Sequence, residues 1–187
     1  MQVFRLDYGD VFEDMTVSEN PWLKMALNNA WANSTLYGAL RDLSSEDFQA
    51  KRPGFFPSLC RTMNHIYEVD LYYADALTSG GQGRLVFDRE DCLEVAELGQ
   101  LQMGVDMQFA SFCQKITPEV LASEVTTERP EGPVTENVAA VILHLVQHQV
   151  HHRGQAHVQL SDAGIAPPQL DEFYLEYVRA ESAKAYW

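Results

Sequence analysis

The chain has 187 residues, of which 46% are hydrophobic and 21% are charged, a composition typical of one globular domain. Thirteen Lys and Arg against 27 Asp and Glu give a net charge of −14. Because nucleic acids and anionic lipid surfaces bind clustered positive charge, this balance argues against both kinds of partner. We therefore expect a single domain over residues 1–187 with neither a nucleic-acid nor a membrane partner.

The cysteines and the N-terminus indicate where the protein resides. Cys60, Cys92 and Cys113 are widely spaced and odd in number, which favours a reducing compartment. The first 15 residues contain no apolar core of a signal peptide. No stretch approaches the roughly 20 apolar residues of a membrane-spanning helix. These features predict a soluble cytoplasmic protein.

Apolar residues recur at three- and four-residue steps along the chain, which is the period of a helix. The first predicted helix covers residues 21–43, with proline in its first turn. The second covers residues 57–79, and the pair Gly80-Gly81 is expected to supply its left-handed C-cap. The third covers residues 88–116, with Asp88 as its N-cap.

The remainder of the chain predicts a hairpin and two further helices. Residues 124–134, EVTTERPEGPV, carry Thr and Val around a Pro-Glu-Gly turn signal, which predicts a short hairpin or an extended loop. Thr135 or Asn137 can cap a fourth helix that extends to about residue 163, and a shorter helix is expected over residues 170–186. The predicted fold is all-α: an up-and-down four-helix bundle with a short C-terminal helix and a small hairpin or loop before the fourth long helix.

Five of the six histidines lie in the fourth predicted helix, and only His65 lies elsewhere. At about 100° per residue, His144, His148 and His152 form one stripe with His151 beside it. The i, i+4 pair His148 and His152 places two imidazoles on one face, as in helices that offer two nitrogens to one metal. Such a pair also occurs by chance on a helix surface, and a lone histidine on an apolar face is usually a hydrogen-bonded core residue.

Metal binding would explain how several imidazoles are buried together. Each neutral ring carries a donor and an acceptor that need partners, and protonating neighbouring rings brings repulsion. A divalent ion uses the lone pairs directly, and nitrogen ligands suit Zn²⁺, Ni²⁺ or Fe²⁺. The E-x-x-H pairs of di-iron bundles are missing from the sequence, which argues against that type of site.

Four short motifs occur in the order found in one known family. Residues 148–155, HQVHHRGQ, resemble the H-x-x-x-H-R-G-Q signature of the DinB-like (YfiT-like) family of metal-dependent enzymes. Residues 64–70, NHIYEVD, resemble its N-H-[IL]-x-x-x-D motif in the second helix. Residues 29–33, NAWAN, resemble its N-x-W-A-N motif in the first helix. Residues 163–171, AGIAPPQLD, are similar to its usual exit from the fourth helix. The resemblance spans nearly the whole chain.

The resemblance implies a four-helix bundle in which a histidine of the second helix and the H-x-x-x-H pair hold one metal ion. Carried onto this chain, the ligands are His65, His148 and His152. His144 and His151 then either support these ligands or are ordinary core and surface residues.

Asn33 and Asp70 belong to the resembling motifs and have two interpretations each. Either side chain could orient a ligand imidazole or a metal-bound water. Alternatively, Asn33 could tie helices together and Asp70 could pair with Arg153, and Arg153 and Gln155 would likewise fix helix contacts. We favour the structural interpretation, since most buried polar groups are present because they are hydrogen-bonded.

The resemblance also implies a function. Relatives include S-transferases that use low-molecular-weight thiols and a mycothiol-dependent maleylpyruvate isomerase. We therefore expect a thiol-dependent S-transferase or isomerase, in which open metal positions accept a water or a substrate thiol. The alternatives are a metal-dependent hydrolase and a non-catalytic, stress-related metal-binding bundle. Homodimers are common in the family, with Gly154 and the aromatic residues Phe173, Tyr174 and Tyr177 as interface candidates.

Overall fold

The computed structural model describes residues 20–187, so the expectation about the first 15 residues lies outside the described range. Six α-helices, one β-hairpin and two 3₁₀ helices follow one another in this part of the chain. The elements are α1 (Pro21–Leu40), α2 (Ser45–Gln49), α3 (Leu59–Thr78), a 3₁₀ helix (Gly83–Asp88), α4 (Val95–Gln114), α5 (Pro118–Ala122), β1 (Glu124–Arg129), β2 (Gly132–Asn137), α6 (Val138–Asp162) and a second 3₁₀ helix (Glu181–Tyr186). The predicted mainly helical class and the hairpin before the last long helix are confirmed.

Side-chain caps determine where three of the long helices begin. Asn20 accepts hydrogen bonds from the first amides of α1, and Ser58 accepts one from the Arg61 amide at the start of α3. Asn137, one of the two predicted caps of the fourth long helix, accepts one from the Ala140 amide. Each bond satisfies an amide that has no partner within its helix, which stabilises the start of the helix.

The end of α3 differs from the prediction. Ser79, and not the glycine pair, takes the left-handed C-cap conformation with φ of 56°. The Asp75 carboxylate explains the change, because it accepts hydrogen bonds from the Gln82 and Gly83 amides, both at 3.0 Å. A Cβ at position 80 would collide with this carboxylate, so a larger residue there would displace the Asp75 side chain from its position.

The third long helix starts later than predicted, at Val95 after Glu94. Asp88 instead ends a 3₁₀ helix. The reason is tertiary: the Asn64 side chain accepts from the Cys92 amide at 2.8 Å and donates to the Cys92 carbonyl at 2.9 Å. These two bonds hold the segment before α4 in a non-helical conformation along α3.

The C-terminal segment does not form the helix predicted over residues 170–186, and only Glu181–Tyr186 is helical, as a 3₁₀ helix. The Arg179 guanidinium donates to the carbonyls of Phe173 and Tyr174, and the Ala180 amide donates to the Glu172 carbonyl. These bonds use groups that a continuous helix would have paired internally. The first helix is also shorter than predicted and ends at Leu40.

The interface candidates have different environments. Phe173 is buried in the core and packs against Trp31, with ring centroids 5.6 Å apart. Tyr177 is almost fully exposed and Tyr174 is partly exposed. A Cβ at Gly154 would meet no atom within 4 Å, so helix packing inside the described part of the chain does not account for this glycine.

The four long helices form a ring in the order α1, α4, α3, α6. Gln102 of α4 donates to Asp70 of α3, and Gln108, further along α4, donates to Thr78, further along α3. These two helices therefore run parallel. Residues 79–94 connect the end of α3 to the start of α4 and run back along α3. This crossover connection modifies the predicted up-and-down order.

The core consists of two apolar clusters along the bundle. One contains Leu27, Trp31, Phe109 and Ile142, and the other contains Leu36, Met63, Leu98 and Leu160. Burial of these side chains is the main force that holds the helices together. Buried polar side chains from all four long helices also meet in the interior.

Arg153 of α6 is the cation of this polar group and is 5% exposed. Its Nη1 donates to Asn29 Oδ1 at 2.6 Å and to Asn33 Oδ1 at 3.0 Å, both on α1, and to Gln149 Oε1 at 3.2 Å. Burial lowers the Arg153 pKa to about 10. The guanidinium therefore remains charged at neutral pH and ties α6 to α1.

Two carboxyl groups accompany this cation. Asp106 of α4 accepts from Asn29, Asn33 and Gln102, and Asp70 of α3 accepts from Gln102 and Gln149. Burial raises the pKa of Asp106 to about 7 and also raises that of Asp70. The group joins all four long helices, and we call Asn29, Asn33, Asp70, Gln102, Asp106, Gln149 and Arg153 the polar layer.

Helices of a length and apolarity that could cross a membrane do not occur among residues 20–187.

We predict that Arg153→Met lowers the free energy of unfolding by about 3 kcal/mol, because it leaves the buried side-chain oxygens of Asn29, Asn33 and Gln149 without their donor. Arg41→Met is the control, since Arg41 is exposed and its ion pair with Asp42, at 3.7 Å, lies on the surface. Its effect on the free energy of unfolding should stay below about 0.5 kcal/mol. Urea unfolding of both variants measures the difference, and equal effects would contradict the role given to the polar layer.

Candidate metal centre

Three imidazoles from two helices converge between α3 and α6. His65 lies on α3, and His148 and His152 lie one turn apart on α6. One nitrogen atom of each ring lies within 4.8 Å of the other two. The structure thus brings the three predicted ligands together in a group that could hold a metal ion.

Nε2 of His65 lies 3.1 Å from Nε2 of His148. With no ion between them, one ring would have to donate its proton to the other. Zinc–nitrogen bonds of about 2.0–2.1 Å at tetrahedral angles place two ligand nitrogens about 3.3 Å apart. The observed separation is therefore close to the one that a shared ion requires.

Burial and mutual repulsion keep these rings neutral. Burial, together with repulsion from a protonated His152, lowers the pKa of His65 to about 4. Burial and the neighbouring histidines lower that of His148 to about 3, and burial also lowers that of His152. Neutral imidazole is the form that binds a metal, so the lone pairs are available at neutral pH without prior deprotonation.

Gln155 fixes the orientation of His152. Its Oε1 lies 2.9 Å from His152 Nδ1, and its Nε2 lies 3.0 Å from His151 Nε2. Because an amide oxygen only accepts, His152 carries its proton on Nδ1 and keeps the Nε2 lone pair free. The predicted role of Gln155 in contacts between helices was wrong, since its bonds lie within α6. His151 is exposed and contacts the site through this amide.

Phe56 covers the histidines from the loop before α3, a contact that sequence reasoning missed. Its ring centroid lies 4.5 Å from that of His65 and 5.6 Å from that of His152. Gln159 of α6 holds the loop by donating to the Phe56 carbonyl at 2.9 Å and accepting from the Thr62 hydroxyl at 2.7 Å. A single sequence contains no signal that this loop folds over the next helix.

Asn33 and Asp70 lie in the polar layer. Asn33 donates to Asp106 and accepts from Arg153. Asp70 accepts from Gln149, the residue after His148, and from Gln102. The bond that links Asp70 to α6 is therefore formed with Gln149 and not with Arg153 as the structural interpretation had it.

His144 is exposed beside the site, with its ring centroid 6.2 Å from that of His148 and 5.2 Å from that of Tyr73. Both His144 and His148 contribute to the wall of a cavity of about 270 Å³ that opens between α3, α6 and the hairpin. A small molecule in this cavity would therefore contact a side chain of the three-histidine group.

The chain is similar to known proteins along most of its length. The sequence profile described as the DinB family matches residues 15–183. Protein DinB of Bacillus subtilis (strain 168) is 25% identical over 166 residues, which cover 83% of this chain and 94% of the relative. The crystal structure of a DinB-like protein from Bacillus cereus ATCC 10987 superposes with a TM-score of 0.61 at 18% identity, over 78% of this chain and 94% of that one. The structural likeness supports the fold.

We predict that the metal-free protein loses stability as the pH falls below 6.5. The pKa of His65 and His148 drops from 6.5 in the unfolded chain to about 4 and about 3 in the folded one. The unfolded chain then binds more protons, so acid favours unfolding across this window. Urea midpoints between pH 7 and pH 4.5, with a chelator present, should fall less steeply for His148→Gln than for the wild type. The exposed His144→Gln serves as control, and parallel curves for all three proteins would contradict the prediction.

We also predict that Gln155→Ala lowers the affinity for a divalent metal about tenfold, because the His152 ring loses the acceptor that orients it. Gln147→Ala, an exposed glutamine of the same helix, is the matched control. Competition with a chromophoric chelator measures both affinities. Equal affinities of the two variants would show that Gln155 does not position the ligand.

Proposed function

Since this chain belongs to the DinB family, we propose that His65, His148 and His152 hold one divalent metal ion and that the site catalyses a thiol-dependent S-transfer or isomerisation. The observation that carries the proposal is the 3.1 Å approach of two imidazole nitrogens from different helices. Nitrogen ligands favour Zn²⁺, Ni²⁺ or Fe²⁺.

The ligand set supports a catalytic site over a closed structural one. Among residues 20–187, the group contains three histidines and no carboxylate or cysteine. Three protein ligands with an open position are typical of catalytic metal sites, whereas structural zinc sites have four. A bound divalent ion would stabilise the thiolate form of a substrate thiol at neutral pH.

The protein's own cysteines do not fit the role of the reacting thiol. Burial raises the pKa of Cys60 to about 11 and that of Cys113 to about 12, and it also raises the pKa of Cys92. All three side chains are therefore protonated at neutral pH, the form that is a poor nucleophile. A thiol reaction at this site needs a low-molecular-weight thiol as a substrate.

The surrounding residues would orient the ligands and limit access of water. Gln155 holds the tautomer of His152, and Phe56 shields the face that His65 and His152 present to the loop. Apolar cover of this kind excludes water and strengthens electrostatic interactions inside the site. The side open to substrate is then the cavity beside His148.

We predict that His148→Ala removes both the metal and the thiol-dependent turnover while the helical content is retained. His157→Ala, a histidine of the same helix outside the group of three, should keep both. Elemental analysis of protein purified without a nickel column should give about one metal ion per chain for the wild type, as one three-ligand site requires. Turnover is measured with glutathione, bacillithiol or mycothiol and an electrophilic acceptor.

The alternatives give different results in the same experiment. Hydrolysis of ester or amide substrates without any thiol would indicate the metal-dependent hydrolase. Bound metal with no turnover, together with a large loss of thermal stability in His148→Ala, would indicate the non-catalytic metal-binding protein. Wild-type protein without metal would overturn the proposal.

A further inference from the structure

The cavity beside His148 is built from four separate elements. Its walls come from α3, the 3₁₀ helix Gly83–Asp88, the hairpin and α6. The lining residues that matter here are Tyr72, Tyr73, Arg84, Phe87, Arg129 and His148. At about 270 Å³, the space is near the lower limit of small-molecule pockets.

Aromatic rings form one wall of the cavity. The Tyr72 ring lies 5.0 Å from that of Tyr73 and 5.1 Å from that of Phe87, measured between centroids. The Tyr72 hydroxyl donates to the carbonyl of Glu128, which attaches the hairpin to α3. This wall is therefore fixed and offers apolar contact to a bound molecule.

The Arg129 guanidinium stands above this wall without a strong anionic partner. It donates to the Tyr73 hydroxyl at 3.4 Å and lies about 6 Å from the Tyr72 and Tyr73 ring centroids. The nearest carboxylate, that of Glu136, is 3.8 Å away in a half-exposed pair. Such surface pairs contribute little to stability. The N–H groups of the Arg129 guanidinium therefore remain available to bind a carboxylate.

Arg84 adds a second cation at the same cavity. Its backbone amide donates to the Glu128 carboxylate at 2.9 Å, whereas its guanidinium forms no hydrogen bond or ion pair with residues 20–187 in the structure. Glu128 also lines the cavity, and an oxygen of its carboxylate accepts the hydrogen bond from this backbone amide. In a chain with a net charge of −14, two arginines on one small cavity create a local site for an anion.

We propose that this cavity binds a thiol that carries a carboxylate, with the carboxylate at Arg129 and Arg84 and the sulfur towards His148. The inference rests on the proposed function and adds the charge of the substrate and the residues that select it. The aromatic wall contacts the carbon chain between the two ends. A neutral thiol of the same shape would lose the charge-assisted hydrogen bonds to the arginines.

The test uses the intact protein loaded with Co²⁺, whose thiolate charge-transfer absorption reports sulfur binding without any turnover. The probes are glutathione and glutathione diethyl ester, which share one skeleton and differ in their carboxylates. We expect the wild type to bind glutathione at least about tenfold more tightly than the ester, as expected for hydrogen bonds to ionised groups.

Variants then identify the residues responsible. Arg129→Gln should weaken glutathione binding about tenfold and leave ester binding unchanged, and Arg129→Lys should restore part of the loss. Arg84→Gln provides a second variant that does not disturb the packing of the hairpin, because its guanidinium is exposed. Arg41→Gln, an exposed residue directly after α1, is the control and should behave as the wild type.

The outcomes separate this inference from the proposed function. Equal binding of acid and ester by the wild type, with clear thiolate absorption from both, overturns the carboxylate site and leaves the thiol function standing. A wild-type preference for glutathione that survives in both Arg129→Gln and Arg84→Gln overturns the assignment of these arginines. Absence of Co²⁺ binding, or of thiolate absorption with either probe, overturns the proposed function and this inference together.

Discussion

The position of Arg153 inside the bundle is the constraint on which the histidine site depends. Its guanidinium bonds Asn29 and Asn33 of α1, and this fixes the rotation of α6 about its own axis. His148 and His152 precede Gln149 and Arg153 directly, so the same rotation turns both imidazoles towards α3. Rotating α6 enough to separate the histidines from His65 would pull a buried cation away from its partners, at a cost of several kcal/mol.

This arrangement has a physical cost that a purely apolar interior would avoid. Burial raises the pKa of Asp70 and Asp106 and lowers that of Arg153, so the loss of water disfavours the charged form of each group. Buried polar groups of this kind often add little to stability, but they restrict the ways in which helices can pack. Leucine side chains would allow α6 to slide or rotate, whereas directional hydrogen bonds from α6 to α1 and α3 do not. The polar layer therefore contributes mainly to the precision of the site.

The sequence predicted what depends on local pattern and not what depends on tertiary contact. Helical spacing and the family resemblance indicated His65, His148 and His152, and the turn signal indicated the hairpin. The start of α4 could not be predicted, because Asp88 looks like a cap while Asn64, far away in sequence, holds the chain extended at Cys92. Phe56 and Gln155 were missed or misassigned for the same reason: their contacts depend on how the loop and the side chains of α6 meet the histidines in space.

The hairpin between α5 and α6 belongs to the cavity but not to the helical framework. Its Arg129 faces the aromatic wall of the cavity, while the imidazoles of the three-histidine group lie on α3 and α6. Connecting segments accept sequence change more readily than the helices that they join. Divergence of the hairpin can thus change the walls of the cavity while the three-histidine group stays as it is, so proteins that share the bundle need not bind the same small molecules.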